Sequence, residues 1–425
     1  MKRVYVSEAL KTRNKKVLLR GWIYRIRKTK NVVFIILRDS TDIIQCAVKS
    51  DNPYFNVANA LTIESSIEVI GRVKGDRRAV TGAEVQVDRV HVFQNAEKYP
   101  LTKDLSVEHL MNYRHLWIRS KKMVNALKVR EQVLKSFREW YFKNGYHETS
   151  GPMFVGTKGE EGGELFELDY FGQTAYLTQT SQMYLEAQIF ALEKVFTIGP
   201  TFRAEKSRTR KHLTEFLMME AEMPFYDLKM TMKDLEGMIV FVCRDVAKKC
   251  KKELVELGQD PKYLLSIKAP FEKKTYEECI DELRRKGSKI KYGEDIGTED
   301  EKLLMSDRSQ PLFITHWPRA LKAFYMKVSE NGETVECCDL QAPKGFGEIV
   351  GGSERETDIK EIVANLERDG DDPKKYEWYL DLRRYGSVPH AGYGLGIARF
   401  LAWVCNAEHV RDVVPFPRFI NRLRP

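Results

Sequence analysis

Residues Val195 to Met223 read VFTIGPTFRAEKSRTRKHLTEFLMMEAEM. Two alternating apolar runs, Phe196 to Phe202 and Leu213 to Met219, flank a polar loop, which is the pattern of a long antiparallel hairpin. Four of the six loop residues Lys206 to Lys211 are basic. Side chains two apart on a strand leave the same face, so Arg203 and Glu205 project together, and His212 and Phe216 begin the return strand opposite them. A guanidinium fork for a phosphate, an acceptor for an exocyclic amine and a ring on which a base stacks then share one small area, a set that suits a nucleotide. For this stretch alone, a surface hairpin with a solvated charge cluster is the competing reading.

The chain is 425 residues long, more than one ordinary core accommodates, which predicts two or three domains. It is 43% hydrophobic and 31% charged. No stretch approaches the roughly 18 uncharged apolar residues of a membrane span, and MKRVYVSEALKTRNKK lacks the apolar core of a signal peptide, so a cytoplasmic address and no membrane partner are expected. Seven cysteines without a C-x-x-C pair indicate neither a disulfide framework nor a zinc site, and reduced, mostly buried thiols are expected. The formal charge of +9 is unevenly spread: residues 1 to 100 hold 19 Lys+Arg against 10 Asp+Glu, and the rest balance at 51 against 51. A basic N-terminal module on a neutral body points to a polyanion partner for that module.

Outward from the hairpin, residues 17 to 95 read as five short strands with turn signals and one helix-like interval near Pro53 to Leu61, which fits a small barrel of the oligonucleotide-binding type. Arg25, Arg27, Phe34, Gln45 and Glu84 are its candidate contacts. Each is equally readable as an ordinary strand residue, and Phe34, inside VVFII, reads as core on pattern alone. From Glu97 to Arg119 the β pattern stops, and a linker leads into an amphipathic helix over about Lys121 to Asn144. Tyr146 to Val155 reads as an edge strand interrupted by Gly151 and Pro152, where two subunits meet. A glycine-rich acidic loop (KGEEGGELF), a second hairpin and a helix lead to the opening hairpin. Helices over Leu228 to Leu257 and Tyr276 to Arg285 and a charged insert around Gly287 to Ser306 follow, and strand character resumes in PLFITHWPRALKAFYMKV.

A second constellation lies near the far end. Asp339 and Glu348 fall on apparently adjacent strands joined by a Pro-Lys-Gly turn, and Arg355 follows a Gly-Gly pair. Two converging carboxylates are costly unless a cation sits between them, and Mg²⁺ bridging phosphates is the economical occupant. SVPHAGYGLGIARFLAWV alternates glycines with Tyr393, Leu395 and Ile397, a strand over which something lies closely, and delivers Arg399 at a helix start.

Together these pieces resemble a class II aminoacyl-tRNA synthetase of the aspartyl/asparaginyl/lysyl subgroup, over essentially the whole chain. Motif one is similar around Gly145 to Pro152, motif two is FRAE…RKHLTEF and motif three is GYGLGIAR. The resemblance implies an α+β fold: an oligonucleotide-binding (OB-fold) anticodon domain over 1–100, a hinge over 101–120, and over 121–425 a catalytic domain with an antiparallel sheet flanked by helices, paired as a homodimer through motif one. It implies that Arg203 grips the α-phosphate of ATP, Glu205 accepts from the adenine amine, Phe216 stacks on adenine, and His212 and Arg399 meet the γ-phosphate. Asp339 and Glu348 match the Mg²⁺ carboxylates, Glu161 the residue that meets the amino-acid ammonium, and Gln182 a further amino-acid contact. Phe34, Gln45 and Glu84, with Arg25 and Arg27, match tRNA anticodon contacts, and Lys206, Arg208 and Arg210 the loop that receives the acceptor end.

Within the subgroup, aspartyl enzymes carry QSPQLYKQ, whose lysine meets the substrate carboxylate; the matching stretch here is TSQMYLE, with Leu185 at the lysine position. A buried carboxylate deprived of a cation costs several kcal/mol, so a neutral carboxamide is favoured, read by Glu220 from its NH₂ side and by Arg355 from its oxygen side. The expected reaction is therefore ATP-dependent activation of asparagine and its transfer to tRNA(Asn). An aspartyl enzyme that also charges that tRNA, an asparagine synthetase on the same catalytic domain, and an inactive RNA-binding paralogue are the alternatives. Motif three of the family normally ends Glu-Arg, whereas this chain has Ala398-Arg399.

Overall fold

The computed structural model of the chain describes residues 1–101, 105–159, 165–206 and 209–425. They form two compact units, Met1–Leu110 and Met111–Pro425. In the first, β1 (Lys16–Lys28), β2 (Val32–Arg38), β3 (Ile43–Lys49), β4 (Ser66–Gly75) and β5 (Ala83–Gln94) close into a barrel in the order β1-β2-β3-β5-β4. Closure follows from the length of β1, whose first half pairs with β4 and second half with β2. Period-two alternation fills the interior with Val33, Ile35 and Leu37 from β2 and Ile44, Cys46 and Val48 from β3. The helical interval is Phe55–Ala60.

In the second unit the strands are β6 (His147–Glu148), β7 (Phe154–Val155), β8 (Glu167–Tyr170), β9 (Gln173–Leu177), β10 (Val195–Phe202), β11 (Glu215–Pro224), β12 (Glu272–Thr275), β13 (Leu312–Thr315), β14 (Cys337–Ala342), β15 (Gly347–Glu354) and β16 (His390–Gly396). An eight-stranded sheet runs β12-β13-β14-β15-β16-β11-β10-β6, antiparallel except at its two ends, and β7-β9-β8 form a separate small sheet. The opening hairpin is β10 and β11, paired from Val195↔Glu222 to Phe202↔Glu215.

Three expectations change in detail. Tyr146 to Val155 is not one strand: β6 lies at the edge of the large sheet, and β7 belongs to the small one, the chain crossing between them at Ser150–Pro152, where proline supplies no ladder donor. The helix expected over Leu228 to Leu257 is two, Leu228–Lys249 and Lys251–Glu256, broken at Cys250. Strand character after Pro311 ends at Thr315, and Trp317–Val328 is mainly loop.

One face of the sheet is covered by helices. Ser120 caps the helix Lys121–Lys143 and Asp227 caps Leu228–Lys249, each accepting from the backbone amide three residues on. Their buried faces, including Val129, Val133, Phe137, Leu235, Ile239 and Val242, pack with Phe400 and Trp403 of the helix Ile397–Val404 against Phe196, Met219, Ala221 and Leu395 of the sheet. All seven cysteines are free and buried. No described helix is long and apolar enough to cross a membrane.

The fully buried Arg114 ties the end of the chain to this body. Its Nε donates to Pro415 O at 2.8 Å and its Nη2 to Arg411 O at 2.6 Å and to Val414 O, with the guanidinium over the Trp117 ring at 4.6 Å. The same segment reaches the motif-two hairpin, where Val410 N donates to Arg210 O at 3.1 Å and Thr214 N to Arg418 O at 3.0 Å. Arg114→Ala removes the donor from three carbonyls and is expected to cost about 3 kcal/mol or more. Hydrogen exchange should accelerate at the Val410 and Thr214 amides; unchanged protection there would show that the segment is held by other contacts.

Candidate active site

The opposite face of the sheet carries the site, and alternation along β11 decides which residues reach it. Met219, Ala221 and Met223 enter the core under the helices, so Met218, Glu220 and Glu222 face the other way, into a cavity of about 520 Å³. Register then builds the floor: Glu220 pairs with Gly394, Gly394 with Gly351, and Gly351 with Asp339. Two acidic residues thus end a row whose middle members have no side chains, roughly 14 Å apart at three strand spacings. Beside it, Glu222 pairs with Gly392. A Cβ on Gly392 would lie 2.0 Å from Glu222 Oε1, so the glycine makes room for that carboxylate.

At one end of the trough stand the motif-two residues. The Arg203 guanidinium lies 5.8 Å from the centre of the Phe216 ring. Arg399 Nη1 donates to Glu348 O at 3.3 Å, and its Nη2 lies 3.3 Å from His212 Nε2. A guanidinium only donates, so Nε2 accepts and the imidazole proton sits on Nδ1, against Thr209 Oγ1. Burial and the Arg399 charge both lower the His212 pKa, which keeps the ring neutral at pH 7. Glu205 Oε2 is 3.7 Å from His212 Nε2. Ala398 is buried in an apolar cluster with Leu213, Ala402 and Val410, so the position that departs from the family is filled by packing.

Asp339 and Glu348 come together as expected. Gly351 leaves a gap in which a Cβ would lie 3.6 Å from Asp339 Oδ1 and 3.7 Å from Glu348 Oε1, so two carboxylate oxygens flank one open point. Burial, with Glu348 alongside, pushes the Asp339 carboxyl up to about 6 despite its cation, Lys322, whose Nζ donates to Oδ2 at 2.6 Å. This donor set fits a hard divalent cation shared with ligand oxygens. Among the described residues there is no cluster of three or more His, Cys, Asp or Glu to hold a metal by protein groups alone. Lys322 escaped the sequence reading because nothing in PRALKAF distinguishes it from a surface lysine.

At the other end, Glu220 accepts from Ser181 N at 3.0 Å and from the Thr180 hydroxyl. Arg355 is anchored within the protein through three of its five N–H groups: Nε donates to Glu222 Oε2 at 3.2 Å, Nη2 donates to Glu222 Oε1, and Nη1 donates to Ser353 Oγ at 2.7 Å, with the guanidinium 5.2 Å from the Tyr325 ring centre. Burial pushes the Glu222 carboxyl up to about 7, against the opposing pull of Arg355. Glu222 was missed, although its spacing of two from Glu220 put it on the same face. Gln182 lines the cavity. Leu185 does not: it is fully buried against Ile189 and Val195, because three helical steps from Gln182 turn it towards the sheet. Glu161 lies outside the described residues.

The basic loop divides. Lys206 and Arg210 are exposed, and Arg208 lies outside the described residues. Lys211 turns inward instead, pairing with Glu301, whose other oxygen accepts from Glu348 N at 3.0 Å. In the barrel, strand register gathers the remaining candidates into two neighbouring rows on the outer surface: Arg25–Ile36–Gln45–Glu84 and Arg27–Phe34–Ala47–Gln86. Phe34 is half-buried rather than core, with the Arg27 guanidinium 4.8 Å over its ring, and Gln45 Nε2 donates to Glu84 at 2.6 Å. The row offers a stacking ring beside amide and carboxylate groups able to read a base edge.

Comparison with known proteins agrees with this geometry. Residues 106–420 match the family described as tRNA synthetases class II (D, K and N), and residues 17–93 match the OB-fold nucleic acid binding domain. The chain is 44% identical to an asparagine–tRNA ligase of Thermococcus gammatolerans, covering 97% of this chain and 96% of the other. It is 42% identical to that of Thermoplasma acidophilum, covering 96% of each. The crystal structure of asparaginyl-tRNA synthetase from Pyrococcus horikoshii complexed with asparaginyl-adenylate superposes with a TM-score of 0.97 at 42% identity, over 100% of both chains. With two carboxylates closing a glycine-floored trough, residues of motifs two and three lining it, and relatives matched nearly end to end, the chain belongs to the asparaginyl branch of the class II (D, K and N) aminoacyl-tRNA synthetases.

Proposed function

We infer that this chain is an asparagine–tRNA ligase, joining asparagine to AMP at the expense of ATP and passing the asparaginyl group to the 3′ end of tRNA(Asn). The observation that carries the reading is the row Glu220–Gly394–Gly351–Asp339, which gives one flat-bottomed trough an end suited to a carboxamide and an end suited to phosphates. The asparagine carboxylate attacks the α-phosphorus in line and pyrophosphate leaves; the 3′-hydroxyl of the terminal adenosine then attacks the adenylate carbonyl, forming the ester as the acyl–phosphate bond breaks and AMP leaves. Both steps rest on positioning and charge stabilisation, and no protein nucleophile is needed.

In this reading Arg203 holds the α-phosphate, where negative charge develops, and the adenine lies on Phe216 with its amine towards Glu205. Arg399 and the neutral His212 meet the γ-phosphate. Bound Mg²⁺, held by Asp339 and Glu348, supplies neutralisation of phosphate charge. Glu220 accepts from the carboxamide NH₂; Arg355, kept rigid by Glu222, offers its remaining N–H towards the carboxamide oxygen. Glu161 completes the amino-acid site and meets the ammonium. The barrel rows with Arg25, Arg27, Phe34, Gln45 and Glu84 take the anticodon, and Lys206, Arg208 and Arg210 the acceptor end. Exposed Met153, Phe154, Tyr170 and Phe171 support pairing of two copies around motif one. The free, buried thiols support a reducing, cytoplasmic setting.

Pyrophosphate exchange with asparagine and with aspartate tests the assignment, and stronger exchange with aspartate would overturn it. Arg203→Ala is expected to abolish exchange while tRNA binding persists, because the residue faces the nucleotide; normal exchange would remove it from the phosphate site. Phe34→Ala and Gln45→Ala are expected to weaken charging of tRNA(Asn), stacking being worth roughly 1–3 kcal/mol per base, and to leave exchange intact. Equal losses in the two assays would return both residues to a purely structural role. Glu220→Gln is expected to reduce the preference for asparagine over aspartate about tenfold or more, since a carboxylate that accepts from the carboxamide becomes an amide that can donate to a carboxylate. The ratio of the two kcat/KM values reads this directly, and a wild-type ratio would mean that other residues discriminate.

A further inference from the structure

Behind the amino-acid end lies a wholly buried cluster to which the proposed function gives no part. Glu186, one turn beyond Gln182 on the helix Gln182–Leu192, accepts from Arg383 Nη2 at 2.7 Å, from Tyr379 OH at 2.8 and 2.9 Å and from Gln182 Nε2 at 3.0 Å, and His390 Nε2 lies 2.9 Å away. Of these residues only Gln182 lines the cavity. Burial works to raise the Glu186 pKa, but the Arg383 charge and the neighbouring donors hold it below the usual carboxylate range. Glu186 is therefore an acceptor only.

An amide side chain has one donor end and one acceptor end, and an acceptor-only partner admits just one of them. With Nε2 committed to Glu186, the opposite end of Gln182 is its carbonyl oxygen, which accepts no hydrogen bond from any described residue. We propose that Glu186 is a positioning residue, locking the Gln182 amide so that its carbonyl oxygen faces the cavity as an acceptor for the α-ammonium of asparagine. A flipped amide would set donor against donor. Arg383, Tyr379 and His390 act one step further out, holding Glu186 in place. The inference rests on reading this pocket as an asparagine site.

Three variants of the full chain test it in asparagine-dependent pyrophosphate exchange. Glu186→Asp keeps the charge opposite Arg383 but falls a methylene short of Gln182; Glu186→Gln is neutral and admits either end of the amide. In both, KM for asparagine should rise roughly ten- to hundredfold, the worth of a hydrogen bond to a charged group, while KM for ATP stays at its wild-type value. The double variant E186Q/Q182E, in which the new amide donates to the new carboxylate and an acceptor again faces the cavity, should recover most of the loss. Succinamic acid, asparagine without its amino group, should inhibit wild type and variants with the same Ki, since it has no ammonium to lose. A Ki that rises in parallel with KM, or a KM unmoved in both single variants, would overturn the proposal and leave Glu186 as packing. Absence of asparagine-dependent exchange in the unaltered chain would instead overturn the proposed function, and this inference with it.

Discussion

The catalytic unit depends on a steric constraint: two neighbouring strands of its sheet, β15 and β16, must cross the middle of the site without side chains. Gly392, Gly394 and Gly351 meet this requirement, and each does so next to a carboxylate. At Gly392 the space a Cβ would fill is already taken by the Glu222 carboxyl group. Because the opposite face of the sheet is packed, with Val350 and Leu395 of these strands and Met219 and Ala221 of β11 set against the helices Lys121–Lys143 and Leu228–Lys249, the floor cannot sink to admit a larger residue. The glycines therefore act as a fixed template, and ligand-facing groups are set by register rather than by loops.

Such a floor invites acidic residues, and the protein controls four of the buried carboxylates in and around the site by giving each a cation from a different element. Glu222 has Arg355, Glu186 has Arg383, Asp339 has Lys322 and Glu301 has Lys211. Removing one member of such a pair strands the other charge at a cost of roughly 3–5 kcal/mol, so these pairs make the walls stiff as well as neutral. Glu348, partly open and beside Arg399, is left to work with a ligand.

Much of this was legible in the sequence. The hairpin β10–β11, the barrel and the convergence of Asp339 with Glu348 all follow from period-two alternation and glycine spacing, which are local signals. What escaped was non-local. Glu186 pairs with Arg383 and His390 about two hundred positions away, and Lys322 reaches Asp339 from a loop that carries no pattern. Leu185 sits in the core, not in the pocket, because a match to a motif fixes a position along a helix but not the direction in which a substituted side chain packs. At Phe34 the apolar run taken alone suggested core, whereas strand alternation turns the ring outward to meet Arg27, among the other candidate contacts of the barrel.

The pairing of β11 with β16 also orders events at the ribosome. Strand β11 emerges early, yet its partner along the trough is synthesised only after the whole insert between Pro224 and β14 and the following β15 have appeared. During that interval one edge of β11, carrying Glu220 and Glu222 on one face and Met219 and Met223 on the other, has no neighbour. Contacts so distant along the chain close slowly, and an unpaired strand edge is where a nascent chain associates with the wrong partner. The feature that gives the finished trough its rigid floor therefore leaves the half-made chain with an open strand edge, and places completion of the substrate site after the synthesis of β16.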